Sequence, residues 1–250
     1  MRPRSTPSIR AAILDAIDKA VPRDVSGDYL DVGSGEGELL NLVKSRYSCL
    51  RCFACDYTAE LIRLSDQTVN IVDLNREPLP YPDNRFALAT CVETIEHLEN
   101  YRATLREIHR VLKPGGLTVV STPNVLNLRS RLRYLTFGFP SLFGPLPVGE
   151  REAHSTAGHI SPVGWFHLAH ALLDAGFIDL KLSIDKFQRR SLISFVLLYL
   201  PIRIADRHHY HREVARFKTV GAQNDAIVRQ INSHKILLGR TLVISARKPG

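Results

Sequence analysis

The chain has 250 residues, 44% of them hydrophobic, a net charge of +8 and a pI near 9.5. That content excludes a disordered chain, and the length suits one α/β domain over residues 1–250 rather than two full ones. No run approaches the roughly 18 uninterrupted apolar residues of a membrane-spanning helix. The positive balance favours an anionic partner, either nucleic acid, an acidic membrane surface or a phosphorylated substrate, unless it is simply a solvated basic surface.

The segment from Met1 to Pro7 is basic without the apolar core of a secretory signal, so a reducing, cytoplasmic setting is expected. Ser5 to Val21 opens with a cap-like Ser-Thr-Pro and places Ile9, Ile13, Ile17 and Val21 on one helical stripe. Strands are expected at Tyr29 to Val32, Leu50 to Cys55, Val69 to Val72, Phe86 to Val92 and Leu117 to Ser121. Tyr101, Leu105, Ile108 and Leu112 share a helix face that Lys113-Pro114-Gly115-Gly116 stops. Residues 125–158 read as an irregular cap, Ser161 to Ala175 as a helix, and Phe177 to Ile184 and Thr241 to Ala246 as the last strands. A second insertion, residues 188–239, precedes the final strand. Strands alternating with helices imply a parallel sheet with helices on both faces.

Cys49-x-x-Cys52-x-x-Cys55 has a spacing that suggests a metal cluster. On a strand, however, Cys52 points away from the other two, and core packing is the better reading.

Leu30-Asp31-Val32-Gly33-Ser34-Gly35-Glu36-Gly37 is a strand entering a glycine-rich turn, where backbone can approach a ligand closely. Asp56 ends the second strand, where a carboxylate accepts hydrogen bonds from a ribose diol. Together they point to a nucleoside-containing cofactor. The turn is Gly-x-Gly-x-Gly rather than the dinucleotide Gly-x-Gly-x-x-Gly, and it is followed in order by Asp73-Leu74-Asn75, Leu79-Pro-Tyr-Pro-Asp-Asn-Arg-Phe86 and Leu112-Lys-Pro-Gly-Gly116.

These segments resemble the class I S-adenosylmethionine-dependent methyltransferases, strongly from Gly27 to Asn124 and weakly beyond. The resemblance implies a Rossmann-like, seven-stranded, mostly parallel sheet with an antiparallel last strand. It also implies that Asp31, Gly33, Gly35 and Gly37 line the methionine side of the cofactor, Asp56 the ribose, and Asp73 with Leu74 the adenine. Ser34, Tyr57, Cys91 and Glu93 are expected beside them. Ala87 departs from the aspartate frequent in the family.

Glu93, Glu96 and His97 follow the fourth strand, and a helix starting there would bring all three onto adjoining faces. Two carboxylates and an imidazole suit Mg, Mn or Zn. The Glu-x-x-Glu-His spacing is similar to that of ubiquinone-pathway O-methyltransferases and of enzymes that 2′-O-methylate small-RNA 3′ ends. The latter resemblance implies a further ligand, His159, with His154 in reserve. Metal binding, metal-free acid–base work by Glu96, His97 and His159, and a structural role all remain open at this point.

Leu192 to Leu200 is apolar and Arg203 to Arg212 basic, which fits either peripheral membrane contact through 192–207 or a buried helix capping the sheet. Arg129, Arg131 and Arg133, near Tyr134 and Phe137, are candidates to grip phosphates and stack a base or sugar. The expected activity is O-methylation of a hydroxyl on a sugar, quinone-like or lipid-linked small acceptor. The alternatives are a metal-dependent RNA 2′-O-methyltransferase and a non-catalytic binding module; oligomeric state is not legible.

Overall fold

The computed structural model describes residues 5–146 and 158–250. Its strands are β1 (Gly27–Val32), β2 (Leu50–Asp56), β3 (Val69–Ile71), β4 (Phe86–Val92), β5 (Leu112–Pro123), β6 (Ile178–Ile184) and β7 (Thr241–Arg247). They form one sheet in the order β3-β2-β1-β4-β5-β7-β6. Pairings from β3 through to β5 are parallel, while β7 runs antiparallel to both β5 and β6. This is the Rossmann-like arrangement with its reversed last strand. The chain switches direction between β1 and β4, so the carboxyl ends of those two strands border the crevice where ligands bind in open α/β sheets.

The helices are α1 (Pro7–Asp18), α2 (Glu38–Arg46), α3 (Tyr101–Val111), α4 (Leu128–Phe137), α5 (Trp165–Asp174), α6 (Leu192–Arg212), α7 (Asp225–Val228) and α8 (His234–Leu238). Alternation along the strands feeds two cores. Tyr29, Leu88, Val119 and Val243 pack with the α1 stripe Ile9, Ile13 and Ile17 and with Leu40 and Val43 of α2. Leu30, Val32, Phe86 and Val120 face Leu105 and Ile108 of α3 and Trp165, Leu168 and Leu172 of α5.

Three boundaries differ from the sequence reading. Val21 lies beyond α1, which ends at Asp18. Leu112 leaves the helix face and starts β5 opposite Phe86, with ψ at 143°. Proline at 114 pushes the preceding residue out of the helical region, so Lys113 to Gly116 form an irregular entry to the strand before pairing resumes at Leu88↔Leu117. The helix expected from Ser161 begins only at Trp165, which leaves 158–164 without regular secondary structure.

The stretch 188–239 has two characters. Ile227 and Ile236 belong to the core beneath α5, and Trp165 Nε1 donates to the Ile227 carbonyl at 2.7 Å. By contrast α6 buries no residue, so the reading of a buried capping helix is set aside. Cys52 and Cys55 pack on opposite faces of β2, half-buried and buried, but Cys49 lies before the strand and is exposed rather than packed in the core; all three are free thiols.

Candidate functional site

The glycine turn is held by the neighbouring strand. Gly33 and Ser34 both donate their N–H groups to the Cys55 carbonyl, at 2.8 and 3.2 Å. A Cβ on Gly33, whose φ is +73°, would sit 2.7 Å from Thr94 Cγ2, so the turn lies flush against the chain leaving β4. Gly35 is different: its φ is +51°, and a Cβ there would meet nothing within 4 Å. That opening above the turn is where backbone is bared for a ligand. Gly37 ends the turn as the N-cap of α2, against Ile62 and Leu64 of the loop after β2.

Two acids converge on this opening. Asp56 accepts from Gly35 N–H and from Tyr57 N–H, both at 2.8 Å, and two accepted bonds leave its carboxylate room for a diol. Asp31 is buried and takes a 2.7 Å hydrogen bond from Thr90, itself bonded to the Tyr29 hydroxyl. Burial, opposed by the Thr90 bond and reinforced by nearby Asp56, pushes the Asp31 carboxyl up to about 7. The Ser34 hydroxyl is buried and has no hydrogen-bond partner among the described residues. An open cradle, a half-neutralised acid and an orphaned hydroxyl fit a cationic, nucleoside-bearing cofactor.

Asp73 follows β3 and caps a turn, accepting from Asn75 N–H at 3.0 Å, and Leu74 packs on the core edge beside it. Cys91 is fully buried in the core with Val32, Cys55 and Ile95, where burial drives its thiol pKa upward.

Beyond β4 the chain does not start an α-helix at Glu93. Glu93 takes a left-handed φ of +51°, and a single 3-10 turn, Ile95–His97, follows. Ser121 Oγ donates to Glu93 Oε1 at 3.0 Å. Among the described residues the metal-compatible group is Glu96, His97 and His159, with ligand atoms within 4.8 Å of one another. The expected four-ligand set therefore loses Glu93. His154 lies outside the described residues, as do 147–157 of the cap.

Main-chain bonds bring His159 to this cluster across sixty residues. Ile160 and Ser161 donate N–H groups to the Glu96 carbonyl at 2.9 and 3.0 Å, and His97 Nδ1 contacts the Gly158 carbonyl at 3.0 Å. The two imidazoles then stand edge to face at 4.9 Å, with Phe143 closing over His159 at 5.1 Å. Glu96 is fully buried; Thr122 donates to its Oε2 at 3.2 Å, while Oε1 has no partner among the described residues. Burial and the Glu93 charge push the Glu96 carboxyl well up, and burial also raises Glu93, against the Ser121 bond. His159 is pushed down by burial, against a bond to the Leu142 backbone, and its buried Nδ1 is likewise unpartnered among the described residues. Thr90, Ser121 and Thr122, absent from the sequence-based list, are what hold the acids; their signal was small hydroxyl residues inside otherwise apolar strands.

The arginine cluster is structural in two of its three members. Arg131 donates to the Leu126 and Ile231 carbonyls at 2.6 and 3.3 Å, and Arg133 to the carbonyls of Phe139, Pro140 and Phe143.

Residues 8–182, well over half the chain, match the family model described as "Methyltransferase domain". The chain belongs to the S-adenosylmethionine-dependent methyltransferases. Among curated relatives, the demethylmenaquinone methyltransferase of Geobacillus kaustophilus is 30% identical over 145 residues, 52% of this chain and 62% of that protein. The ubiquinone/menaquinone biosynthesis C-methyltransferase of Desulfotalea psychrophila is 26% identical, over 62% of this chain and 67% of that protein. The methyltransferase thus spans about three fifths of the length of the Geobacillus relative. A crystal structure of a methyltransferase from Archaeoglobus fulgidus shares the fold at a TM-score of 0.58 and 18% identity, covering 96% of this chain and 94% of that one. Haemonchus contortus phosphoethanolamine N-methyltransferase 2 bound to S-adenosylmethionine matches at 0.55 and 18%, over 96% of this chain and 52% of that one.

Proposed function

We propose that the methyltransferase moves a methyl group from S-adenosylmethionine to a hydroxyl oxygen of a quinol-like or lipid-linked small acceptor, and that Glu96, His97 and His159 handle that hydroxyl. One observation carries the reading: two buried ligand-type atoms, Glu96 Oε1 and His159 Nδ1, lie without a partner among the described residues, in one cluster next to the glycine turn. Buried polar atoms are rarely left unsatisfied, and two in one group mark a place for a cation or a polar substrate atom. Thr94, two residues before Glu96, touches Gly33 and ties the cluster to the cradle.

The donor set suits a divalent ion. With Glu93 outside it, two imidazoles and one carboxylate favour Zn or Mn over the all-oxygen preference of Mg. When bound, such an ion lowers the pKa of a hydroxyl and orients its oxygen. The residues do the rest. In the transfer, the acceptor oxygen forms a bond to the methyl carbon as the methyl–sulfur bond breaks, and S-adenosylhomocysteine departs. The hydroxyl proton passes to Glu93, whose burial raises its affinity for a proton against the opposing Ser121 bond.

The names of the quinone-pathway relatives support the acceptor class, and the Desulfotalea name supports a second reading. A phenol that has lost its proton is also nucleophilic at the neighbouring ring carbon, so the same cluster serves C-methylation. The test combines metal analysis with product analysis. Wild type is expected to carry a divalent ion and to lose transfer on chelation; Glu96→Ala and His159→Ala are expected to lose the ion and at least about a hundredfold in rate while still binding S-adenosylhomocysteine. Undiminished turnover after chelation refutes the ion, full activity in both variants refutes the cluster, and product NMR separates O- from C-methylation. Transfer to RNA but to no quinol or lipid-linked hydroxyl overturns the acceptor class.

A further inference from the structure

The helix α6 carries apolar side chains on the side turned away from the protein. Ile193, Val196, Leu197, Leu200 and Ile204 are 65–77% exposed, at spacings of three, four, seven and eleven residues from the first. That spacing draws one continuous stripe, about 16 Å long at 1.5 Å per residue. The opposite side, through Phe195, Leu198 and Ile202, is half-buried toward the body, so the stripe is a second apolar face with nothing over it among the described residues. The helix α4 meets α6 where Arg131 feels the Asp206 charge and where Asn232, next to the Arg131 acceptor Ile231, bonds Asp206 at 2.7 Å.

Charge identifies the occupant. Residues 186–212 contain six cations, Lys186, Arg189, Arg190, Arg203, Arg207 and Arg212, against the single acid Asp206. The cations bracket the stripe at both ends. A second copy of this face would oppose six like charges to six, which disfavours self-association. An apolar stripe bounded by arginines matches a bilayer surface, where side chains enter the acyl boundary and cations meet anionic headgroups. No helix among the described residues is long and apolar enough to cross a membrane, so the contact lies in the interface plane.

We propose that the protein docks on anionic lipid surfaces through α6, with its apolar stripe in the acyl boundary and Arg189, Arg190, Arg203 and Arg207 on the headgroups. This stands independently of the acceptor and of any ion at Glu96. The test is flotation of the full chain with vesicles of phosphatidylcholine, alone or mixed with phosphatidylglycerol. Binding to the mixed vesicles is expected, weaker in high salt and at least tenfold weaker in a Leu197→Ser/Leu200→Ser variant. Both substitutions are at exposed sites, so the variant is expected to keep its melting temperature and its S-adenosylhomocysteine affinity. An Arg203→Gln/Arg207→Gln variant is expected to lose the preference for phosphatidylglycerol. Failure of wild type to float with mixed vesicles, or equal flotation of the serine variant, overturns the proposal. So does a dimer in sedimentation that the serine variant abolishes while neither protein floats.

Discussion

Asp31 makes cofactor affinity depend on pH in a defined direction. Its carboxyl titrates at about 7 in the free protein, against 3.8 for an unperturbed aspartate, mainly because it is buried, with Asp56 adding to the rise and the Thr90 bond opposing it. A raised acid holds a proton in the folded state that the unfolded chain has already lost. Its contribution to stability is therefore full below about 3.8 and is lost as pH climbs through 7. Placing the ammonium and sulfonium charges of the cofactor beside Asp31 favours the carboxylate, so below 7 each binding event must expel a proton. Affinity should then fall about tenfold per pH unit below 7 and level off above it. A bound carboxyl returned fully to the ordinary 3.8 would set the ceiling, roughly three units or about 4 kcal/mol. Calorimetry with S-adenosylhomocysteine at about pH 6, in two buffers of different ionisation enthalpy, should report close to one proton released. Asp31→Asn should flatten the profile. A level profile in wild type, or an equal slope in Asp31→Asn, refutes the assignment.

The glycine turn separates folding from binding. Gly33→Ala forces a Cβ against Thr94 in a left-handed backbone and should cost about 2 kcal/mol or more of stability, read by thermal melting. Gly35→Ala pays only the backbone term of about 1 kcal/mol, yet should lose at least tenfold in S-adenosylhomocysteine affinity, because its Cβ enters the cradle. Melting can be followed by the fluorescence of Trp165, the single tryptophan, which is fully buried. Trp165→Phe leaves the Ile227 carbonyl without its donor and should destabilise by about 1–3 kcal/mol, measured by denaturant titration followed by circular dichroism.

The strands were legible because buried parallel strands are written as short, mostly apolar runs, and β4 is nearly unbroken while β1 and β2 carry only a few charged residues among apolar ones. The glycine turn was legible because everything it needs lies within five residues. The candidate cluster was only half legible. Spacing on a helix put Glu93 with Glu96 and His97, but the left-handed turn at Glu93 is set by its contact with Ser121 on the adjacent strand, which local sequence does not carry. His159 joins through backbone bonds between 158–161 and the 3-10 turn, and hydrogen bonds between main chains leave no residue signature. For the same reason Arg131 and Arg133 looked like phosphate grips until their carbonyl partners came into view. The run at Leu192 reads identically for a covered helix and a bare one, and only the burial pattern tells them apart.

At the base of the last insertion its own two ends are sewn together. Gln188 N–H bonds the Leu238 carbonyl, Arg240 N–H bonds the Lys186 carbonyl, and Asn124 clasps the carbonyls of Ile236 and Gly239. Such a closed neck isolates whatever hangs beyond it from the registers of β6 and β7. Within it, residues from Asp225 onward anchor the loop in the core, so the portion carrying α6 can drift, lengthen or be swapped between relatives while the sheet and the cofactor turn keep their shape. Specificity for an acceptor or a surface can then diverge by exchanging that cassette alone.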